Sequence, residues 1–385
     1  MDTYTVNHFS CKRDGLTIRG KEFKPEGDDL PSIIISHGFG GNGDDLVNDC
    51  AHLASLGYVV YSFDFCGGSV PGKGRSDGQT TDMTILTERD DLLCVIDYIK
   101  TNSYVDQQRI SLLGFSQGGF VSALAAAKRP DDLQSLILFY PALCIPDHAR
   151  NGTLAGSSYD INQVPEAIDC GKMLLGKVFH DTVVQMDPYK EITPYPGPVL
   201  LIHGTADATV PYSYALKASD AYAPEQCHLQ LIKGAGHHFT EEQQAAAMVS
   251  VSQFLSGKKE VLTINVHLTG HEIREDQESS RVEVISFEGD SESRFFKGVI
   301  LPGAEDVQTY KNGQRISIRA EYTLEGFDHQ QNPCHIHIVN QEVNRELKPR
   351  ITTNSPALRF LNDADTTASI ESYEGRLTVR IYSAI

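Results

Sequence analysis

The chain has 385 residues, too many for one ordinary compact domain and comfortable for two, and its 51 acidic against 33 basic side chains leave a net charge of -18. That balance excludes the cationic surface on which nucleic-acid binding rests. Residues 1–8 carry neither the basic nor the apolar region of a secretory leader, no stretch reaches the length of a membrane span, and the eight cysteines are scattered without a CxxC pair, so a cytoplasmic protein with reduced thiols is expected.

Residues 4–24 alternate apolar and polar around Arg13-Asp14-Gly15, which predicts an opening hairpin. Residues 32–36, Ser-Ile-Ile-Ile-Ser, read as a strand buried on both faces of a parallel sheet. Helix (44–56), strand (58–64), helix (85–100), strand (109–114), helix (117–128) and strand (136–140) follow. This alternation predicts an α/β fold with a doubly wound sheet. Residues 141–190 interrupt the rhythm with interleaved Pro, Gly, Asp and Asn, and read as an inserted cap. The order then resumes with a strand (198–203), a helix (213–222), a strand (228–233) and a helix (241–255), which closes a first domain over residues 1–257. From 261 to 385 the period changes to two. Ile316, Ile318, Ala320, Tyr322 and Leu324 alternate with polar neighbours, as do Leu377, Val379 and Ile381, with Asn312-Gly313 and Glu374-Gly375 as turn signals. An all-β, barrel-like second domain is expected.

The chemistry centres on Gly114-Phe115-Ser116-Gln117-Gly118, placed between a strand and a helix. In such a turn the serine hydroxyl stands clear of the sheet edge, and the flanking positions need glycine because side chains there meet the neighbouring strand and helix. A serine needs a base to become a nucleophile at neutral pH, and the base needs a carboxylate to fix its tautomer. Asp207 follows the strand at 198–203, and His237 follows the strand at 228–233, in the chain order that this fold expects. The adjacent His238 is a rival base, though His237 directly follows the glycine-rich turn. Asp64 and Asp77 are rival carboxylates, but both precede the serine. Oxyanion donors are expected from the N–H groups of Gln117, the residue after the serine, and of Phe39 in the loop His37-Gly38-Phe39-Gly40-Gly41.

These motifs, with Leu201-Ile202-His203-Gly204-Thr205-Ala206-Asp207 and Gly234-Ala235-Gly236-His237-His238-Phe239, make residues 1–257 resemble the α/β-hydrolases, and within them the bacterial feruloyl (cinnamoyl) esterases. Tyr140-Pro141-Ala142, residues 161–165 and Leu175-Gly176 resemble the cap of that family. The resemblance implies a Ser116, Asp207 and His237 triad, with Phe39 and Gln117 at the oxyanion hole and an acyl pocket formed by the cap. Relatives in that family offer an acid and a tyrosine from the cap to a phenolic hydroxyl. This chain has Asp147-His148 and Phe179-His180 at those places, which are its expected substrate-binding residues.

The second domain resembles a family of small β-barrel domains without assigned function, through residues 296–303, 310–313 and 320–325. His335 and His337 share one face of an expected strand while Cys334 points away. With no third ligand at nearby spacing they read as lining a polar face, and no metal is assigned. No nucleophile and base pair is visible in this domain, so binding or homo-oligomerisation is its expected role.

The reading is a serine carboxylesterase acting on small-molecule esters with hydroxycinnamoyl-like aromatic acyl groups, without metal or organic cofactor and without nucleic-acid or membrane partners. Peptidase, thioesterase and acyltransferase activities use the same triad. Matched ester, thioester and anilide substrates separate the first two, and partitioning toward an added alcohol separates the third. A ligand-binding protein on a hydrolase scaffold is the reading from another class, and would leave Ser116 unreactive toward a fluorophosphonate.

Overall fold

A computed structural model describes residues 4–223, 226–277, 280–343, 346–373 and 376–383. They divide into two compact units, Met1–Thr240 and Glu241–Ile385.

The first unit opens with the hairpin of β1 (Tyr4–Arg13) and β2 (Leu16–Pro25), turned by Asp14 and Gly15 at φ of 49° and 87°. Then come β3 (Leu30–Ser36), α1 (Val47–Ser55), β4 (Val59–Asp64), α2 (Ile85–Ile99), β5 (Val105–Phe115), α3 (Gln117–Lys128) and β6 (Ser135–Phe139). The helix expected from residue 44 begins instead as a short 3₁₀ turn at Gly43–Leu46. Asn42 caps it, accepting from the Asp44 amide while its own N–H is held by the Asp45 carboxylate.

Between β6 and the next sheet strand lie α4 (Ile145–Arg150), the small hairpins β7 (Thr153–Leu154) with β8 (Ser157–Ser158) and β9 (Ala167–Asp169) with β10 (Leu174–Gly176), then α5 (Lys177–Val183) and α6 (Pro188–Ile192). The unit continues through β11 (Val199–Gly204), α7 (Ser213–Ala221) and β12 (Cys227–Ile232). Its eight-stranded sheet has the order β1-β2-β4-β3-β5-β6-β11-β12, parallel from β4 onward. β4 and β11 are buried at every residue, as strands with helices on both faces must be. The strand order reverses at β3, whose neighbours are β4 and β5. Crevices for ligands form beyond the carboxyl ends of strands at such a reversal, and β3 and β5 end there, just before His37 and Ser116. Leu154, Ile168, Met173, Leu175 and Phe179 of the inserted segment belong to the same apolar core as Phe120 and Leu138.

In the second unit, α8 (Glu241–Leu255) precedes β13 (Lys259–Gln277), β14 (Ser280–Glu292), β15 (Phe296–Ile300), β16 (Glu305–Lys311), β17 (Gln314–Asp328), β18 (Pro333–Val343), β19 (Glu346–Thr353), β20 (Thr366–Tyr373) and β21 (Arg376–Ser383). The antiparallel order β13-β21-β20-β19-β18-β17-β15-β14 closes because β14 also pairs with β13, giving an eight-stranded barrel. β16 bridges β14 and β17 outside that ring. Inside are Ile264, Phe296, Leu324, Ile336, Ile338 and Ile381. The sequence reading ends the first domain near residue 257, whereas the compact units divide before α8. This helix buries Ala247, Met248 and Val251, and Ser250 Oγ lies 3.0 Å from the Tyr382 hydroxyl of β21.

Tyr322 and Leu324 point inward as the alternation predicts, but Ile316 is 61% exposed. It lies where β17 pairs with β16 alone, before β18 joins at Arg319. Asn312 and Gly313 turn β16 into β17 at φ of 50° and 75°. The turn expected at Glu374-Gly375 lies outside the described residues. On β18, Cys334 faces the core while His335 and His337 face outward beside Glu325 and Glu321 at 3.5 and 3.6 Å. Among the described residues no cluster of His, Cys, Asp or Glu forms a metal site, and no helix is long and apolar enough to cross a membrane.

Candidate active site

Ser116 sits between β5 and α3 at φ 52° and ψ -116°, a backbone conformation that L-residues adopt only under strain of about 1–3 kcal/mol. The surrounding bonds hold it there. Its N–H donates to the Phe139 carbonyl at 2.9 Å, and its own carbonyl accepts from Ala142 N–H at 2.9 Å. A Cβ built on Gly114 would lie 2.3 Å from the Gly118 carbonyl oxygen, and one on Gly118 would lie 2.3 Å from that of His37. Each clash is with backbone, in the first turn of α3 or in the loop after β3, and not with the end of a flexible side chain that could move aside. Gly118→Ala is therefore expected to cost about 3 kcal/mol of stability or more, read as a lowered midpoint in thermal or urea denaturation.

His237 brings Nε2 to 3.0 Å from Ser116 Oγ and Nδ1 to 2.8 Å from Asp207 Oδ2. Burial by itself would raise the Asp207 pKa. Hydrogen bonds from His203, His237 and the Val210 amide more than offset it and hold the carboxyl well below the usual range. A carboxylate only accepts, so Nδ1 of His237 carries the proton and Nε2 is left to accept from the Ser116 hydroxyl. The other Asp207 oxygen accepts the Thr209 and Val210 amides at 2.9 and 2.8 Å, which fixes the carboxylate plane.

The loop after β3 is set by His37. Its Nε2 accepts the Phe65 amide at 3.2 Å, so Nδ1 carries the proton and donates to the Gly38 carbonyl at 2.8 Å. Burial lowers the His37 pKa and favours this neutral form. The Gly40 amide donates to Gly68 O at 3.2 Å and the Gly41 amide to Gly38 O at 3.0 Å. None of these bonds uses the Phe39 amide. Gly38 lies against the serine, since a Cβ there would be 3.2 Å from Ser116 Cβ. Gln117 is the first residue of α3, where amide N–H groups have no partner within the helix and the dipole favours negative charge.

The rivals stand elsewhere. His238 is exposed and meets the His237 ring edge-on, with centroids 5.4 Å apart. Asp64 is bound to the Gly43 and Arg75 amides and to the Arg75 guanidinium, and Asp77 pairs with Arg19 at 2.7 Å.

The four expected substrate-binding residues do not share one environment. Asp147 is half-exposed, pairs with Arg150 at 2.8 Å and accepts from the Tyr214 hydroxyl at 2.9 Å. His148 is half-buried, and desolvation lowers its pKa. Phe179 is a correction: at 1% exposure it is a core side chain and presents no surface to a ligand, because α5 turns it toward the sheet unit's interior. His180 is buried as well, and its Nδ1 is taken up by the Tyr159 hydroxyl at 2.8 Å. The tyrosine beside the acid is Tyr214, which α7 supplies from outside the inserted segment. Burial and the Asp147 carboxylate push its phenol up to about 12, so it remains a donor.

Sequence reasoning missed two further neighbours. His203 lies on β11 with Nε2 2.8 Å from Val210 O and 3.3 Å from Asp207 Oδ2, so a second imidazole braces the carboxylate. The i,i+4 spacing of His203 and Asp207 is the one available signal. Tyr140 has φ 37° and packs its ring 4.8 Å from that of His237 and 5.1 Å from that of Phe239. Nothing in the sequence announces this, since a residue before proline is biased toward extended backbone. Met173, at the β9–β10 hairpin, packs against the loop after β3, its sulfur 3.3 Å from where a Cβ on Gly40 would be.

Residues 46–260 match the prolyl oligopeptidase family. The monoacylglycerol lipase of Mycolicibacterium smegmatis is 21% identical over 268 residues, which span 63% of this chain and 93% of that enzyme. The mouse monoglyceride lipase is 33% identical over 144 residues, 35% of this chain and 43% of that enzyme. Among solved structures, Est1E from Butyrivibrio proteoclasticus with ferulic acid bound superposes with a TM-score of 0.59 at 28% identity. That likeness covers 64% of this chain and 98% of Est1E.

Proposed function

The chain belongs to the prolyl oligopeptidase family and is a serine ester hydrolase; on that premise we propose that Ser116, His237 and Asp207 hydrolyse small carboxylic esters with aromatic, hydroxycinnamoyl-like acyl groups. The observation that carries this reading is the continuous Oγ–Nε2 and Nδ1–Oδ2 chain of 3.0 and 2.8 Å at a strained serine.

His237 Nε2 takes the hydroxyl proton as Ser116 Oγ bonds to the ester carbonyl carbon, and the C=O pair moves onto oxygen. The Phe39 and Gln117 amides donate to that oxyanion, each worth about a hundred- to a thousandfold in rate. Asp207 stabilises the imidazolium, which then returns the proton to the leaving alkoxide as the ester C–O bond breaks. Water, deprotonated by the same nitrogen, attacks the acyl-enzyme. The tetrahedral adduct collapses, the proton goes back to Ser116 Oγ, and the carboxylic acid leaves.

Two observations favour an aromatic acyl group. Est1E binds ferulic acid, and the Asp147 carboxylate with the Tyr214 oxygen, whose proton goes to Asp147, offers acceptors suited to a phenolic hydroxyl. A second reading, amide hydrolysis, is favoured by the family match itself and uses the same groups.

The test is kcat/KM across methyl ferulate, methyl acetate to methyl octanoate, and an anilide matched to one ester. Methyl ferulate is expected to lead the alkyl esters of comparable leaving-group activation, with the anilide roughly a hundredfold or more behind its ester. An octanoate ester that outpaces every aromatic substrate would remove the aromatic assignment. An anilide that outpaces its ester would install the second reading.

A further inference from the structure

Glu88 lies in the first turns of α2, 1% exposed, and no step above uses it. Its Oε2 accepts from the Gln117 side-chain Nε2 at 2.8 Å, and Gln117 is itself 3% exposed. Its Oε1 abuts the backbone of Gly68, where a Cβ would come within 2.8 Å of that oxygen. Gly68 is the residue whose carbonyl holds the Gly40 amide at 3.2 Å, and the Gly40–Ser69 bridge ties the oxyanion loop to the same segment. One buried carboxyl thus touches the anchor of each proposed oxyanion donor, the Gln117 side chain on one wall and the Gly68 support of the Phe39 loop on the other.

Among the described residues, the charged and titratable groups around it offer no counter-ion. Asp91, one turn further along α2, is already bonded to Arg13 Nε at 2.6 Å and to the Cys66 amide at 2.8 Å. The Cys66 thiol, on the segment that carries Gly68, is pushed up by burial and by Asp91. Gln117 on α3 and Met83 before α2 are neutral, and the Met83 sulfur lies 3.9 Å from Gln117 Nε2. Burial pushes the Glu88 carboxyl up to about 8, against the single lowering contribution of the Gln117 hydrogen bond. An anion there would oppose the negative charge that develops on the substrate oxygen above it.

We propose that Glu88 is a positioning residue of the oxyanion hole, holding both of its walls from beneath and working in its neutral form. The proposal rests on the serine-hydrolase reading of Ser116, so S116A is run beside every variant. Two variants separate the roles. Glu88→Leu removes the carboxyl and both attachments. Glu88→Gln keeps the shape and the acceptor for Gln117 but cannot ionise.

E88L is expected to lower kcat on p-nitrophenyl acetate by roughly 10- to 100-fold with KM within about twofold, because the donors drift while the acyl site stays. Its rate of Ser116 phosphonylation by a fluorophosphonate should fall in parallel, since that adduct develops its charge in the same hole. E88Q is expected to recover kcat to within about threefold of wild type at neutral pH. In the wild type kcat is expected to decline as pH rises through about 8, and E88Q is expected to lack that alkaline decline.

Stability follows the same proton. The folded carboxyl titrates near 8 and its ordinary value is 4.5. Wild-type stability is therefore greatest below the ordinary value and falls until pH passes the folded one. The Tm of E88Q should gain on wild type between pH 5 and pH 9.

The proposal is overturned if E88L keeps kcat and labelling rate within twofold, if E88Q falls as far as E88L, or if E88Q keeps the wild-type alkaline limb. Should E88L fail to fold, the E88Q profile and Tm comparison decide alone. If the wild type turns over no ester, or S116A is as active as wild type, the hydrolase reading fails instead. The pH dependence of Tm is then the readout for Glu88: without the E88Q gain between pH 5 and pH 9 its neutral, buried role is overturned as well, and with that gain only the hydrolase reading fails.

Discussion

Replacing Ser116 by alanine is expected to lower kcat on every ester the protein hydrolyses by about 10⁴- to 10⁶-fold while leaving the fold intact. The hydroxyl lies within hydrogen-bond reach of His237 Nε2, and its loss removes the two-step path altogether. The same position should show a trade between activity and stability. Ser116 is held at φ 52° by its neighbours' hydrogen bonds, and glycine adopts that backbone without penalty. Ser116→Gly should therefore be as inactive as the alanine variant yet about 1 kcal/mol more stable than wild type, measured by urea denaturation. Equal stability of S116G and wild type would show that the elbow stores no strain.

Asp207→Asn is the second large effect, a loss of about 10⁴-fold in kcat with the structure retained. The asparagine oxygen can still accept the Thr209 and Val210 amides, so the loop after β11 keeps its shape. The Nδ2 group that then faces His237 is a donor. It forces the imidazole into the tautomer whose Nε2 carries the proton, and that nitrogen can no longer accept from Ser116. His203 loses its 3.3 Å contact with the carboxylate at the same time and keeps the Val210 carbonyl as its acceptor. The Asp207 carboxyl is held below its unfolded value, so it contributes stability that is present above the ordinary carboxylate range and lost as pH falls through the folded value. In D207N that acid-side loss should disappear, which acid titration of the unfolding midpoint would register.

The residues that form the chain from Ser116 to Asp207 were legible because each is bound to a local rule. Glycines at 114 and 118 are needed where backbone oxygens crowd to 2.3 Å, and Asp207 and His237 each fall just past a fully apolar or alternating strand. What the sequence could not show depends on distant partners. Phe179 and His180 sit in a short helix whose composition says nothing about which face turns inward. Tyr214 meets Asp147 across 67 residues. Glu88 lies within Thr87-Glu88-Arg89-Asp90-Asp91, which reads as a solvated helix face until α3 and Gly68 cover it. The positive φ of Tyr140 runs against its own pre-proline bias and is held by a hydrogen bond from its N–H to Ile202 O at 2.7 Å and by ring packing.

The second unit shows the same limit. Alternation forecast strands and Asn312-Gly313 forecast a turn, but closure needs β13 to pair with both β14 and β21, the latter more than a hundred residues away in sequence. The grouping of α8 with this unit is likewise invisible from its own pattern. It depends on Ser250 meeting Tyr382 and Glu242 meeting Ser372, contacts that no periodicity encodes.

The central claim is that Ser116 is the nucleophile, and the most direct measurement is stoichiometric labelling with a fluorophosphonate followed by peptide mass spectrometry. One equivalent of adduct on Ser116, formed in step with the loss of ester hydrolysis and absent from unfolded protein, is the result expected. Hydrolysis that persists in protein fully labelled at Ser116, or labelling that abolishes hydrolysis while residing on another residue, would contradict it.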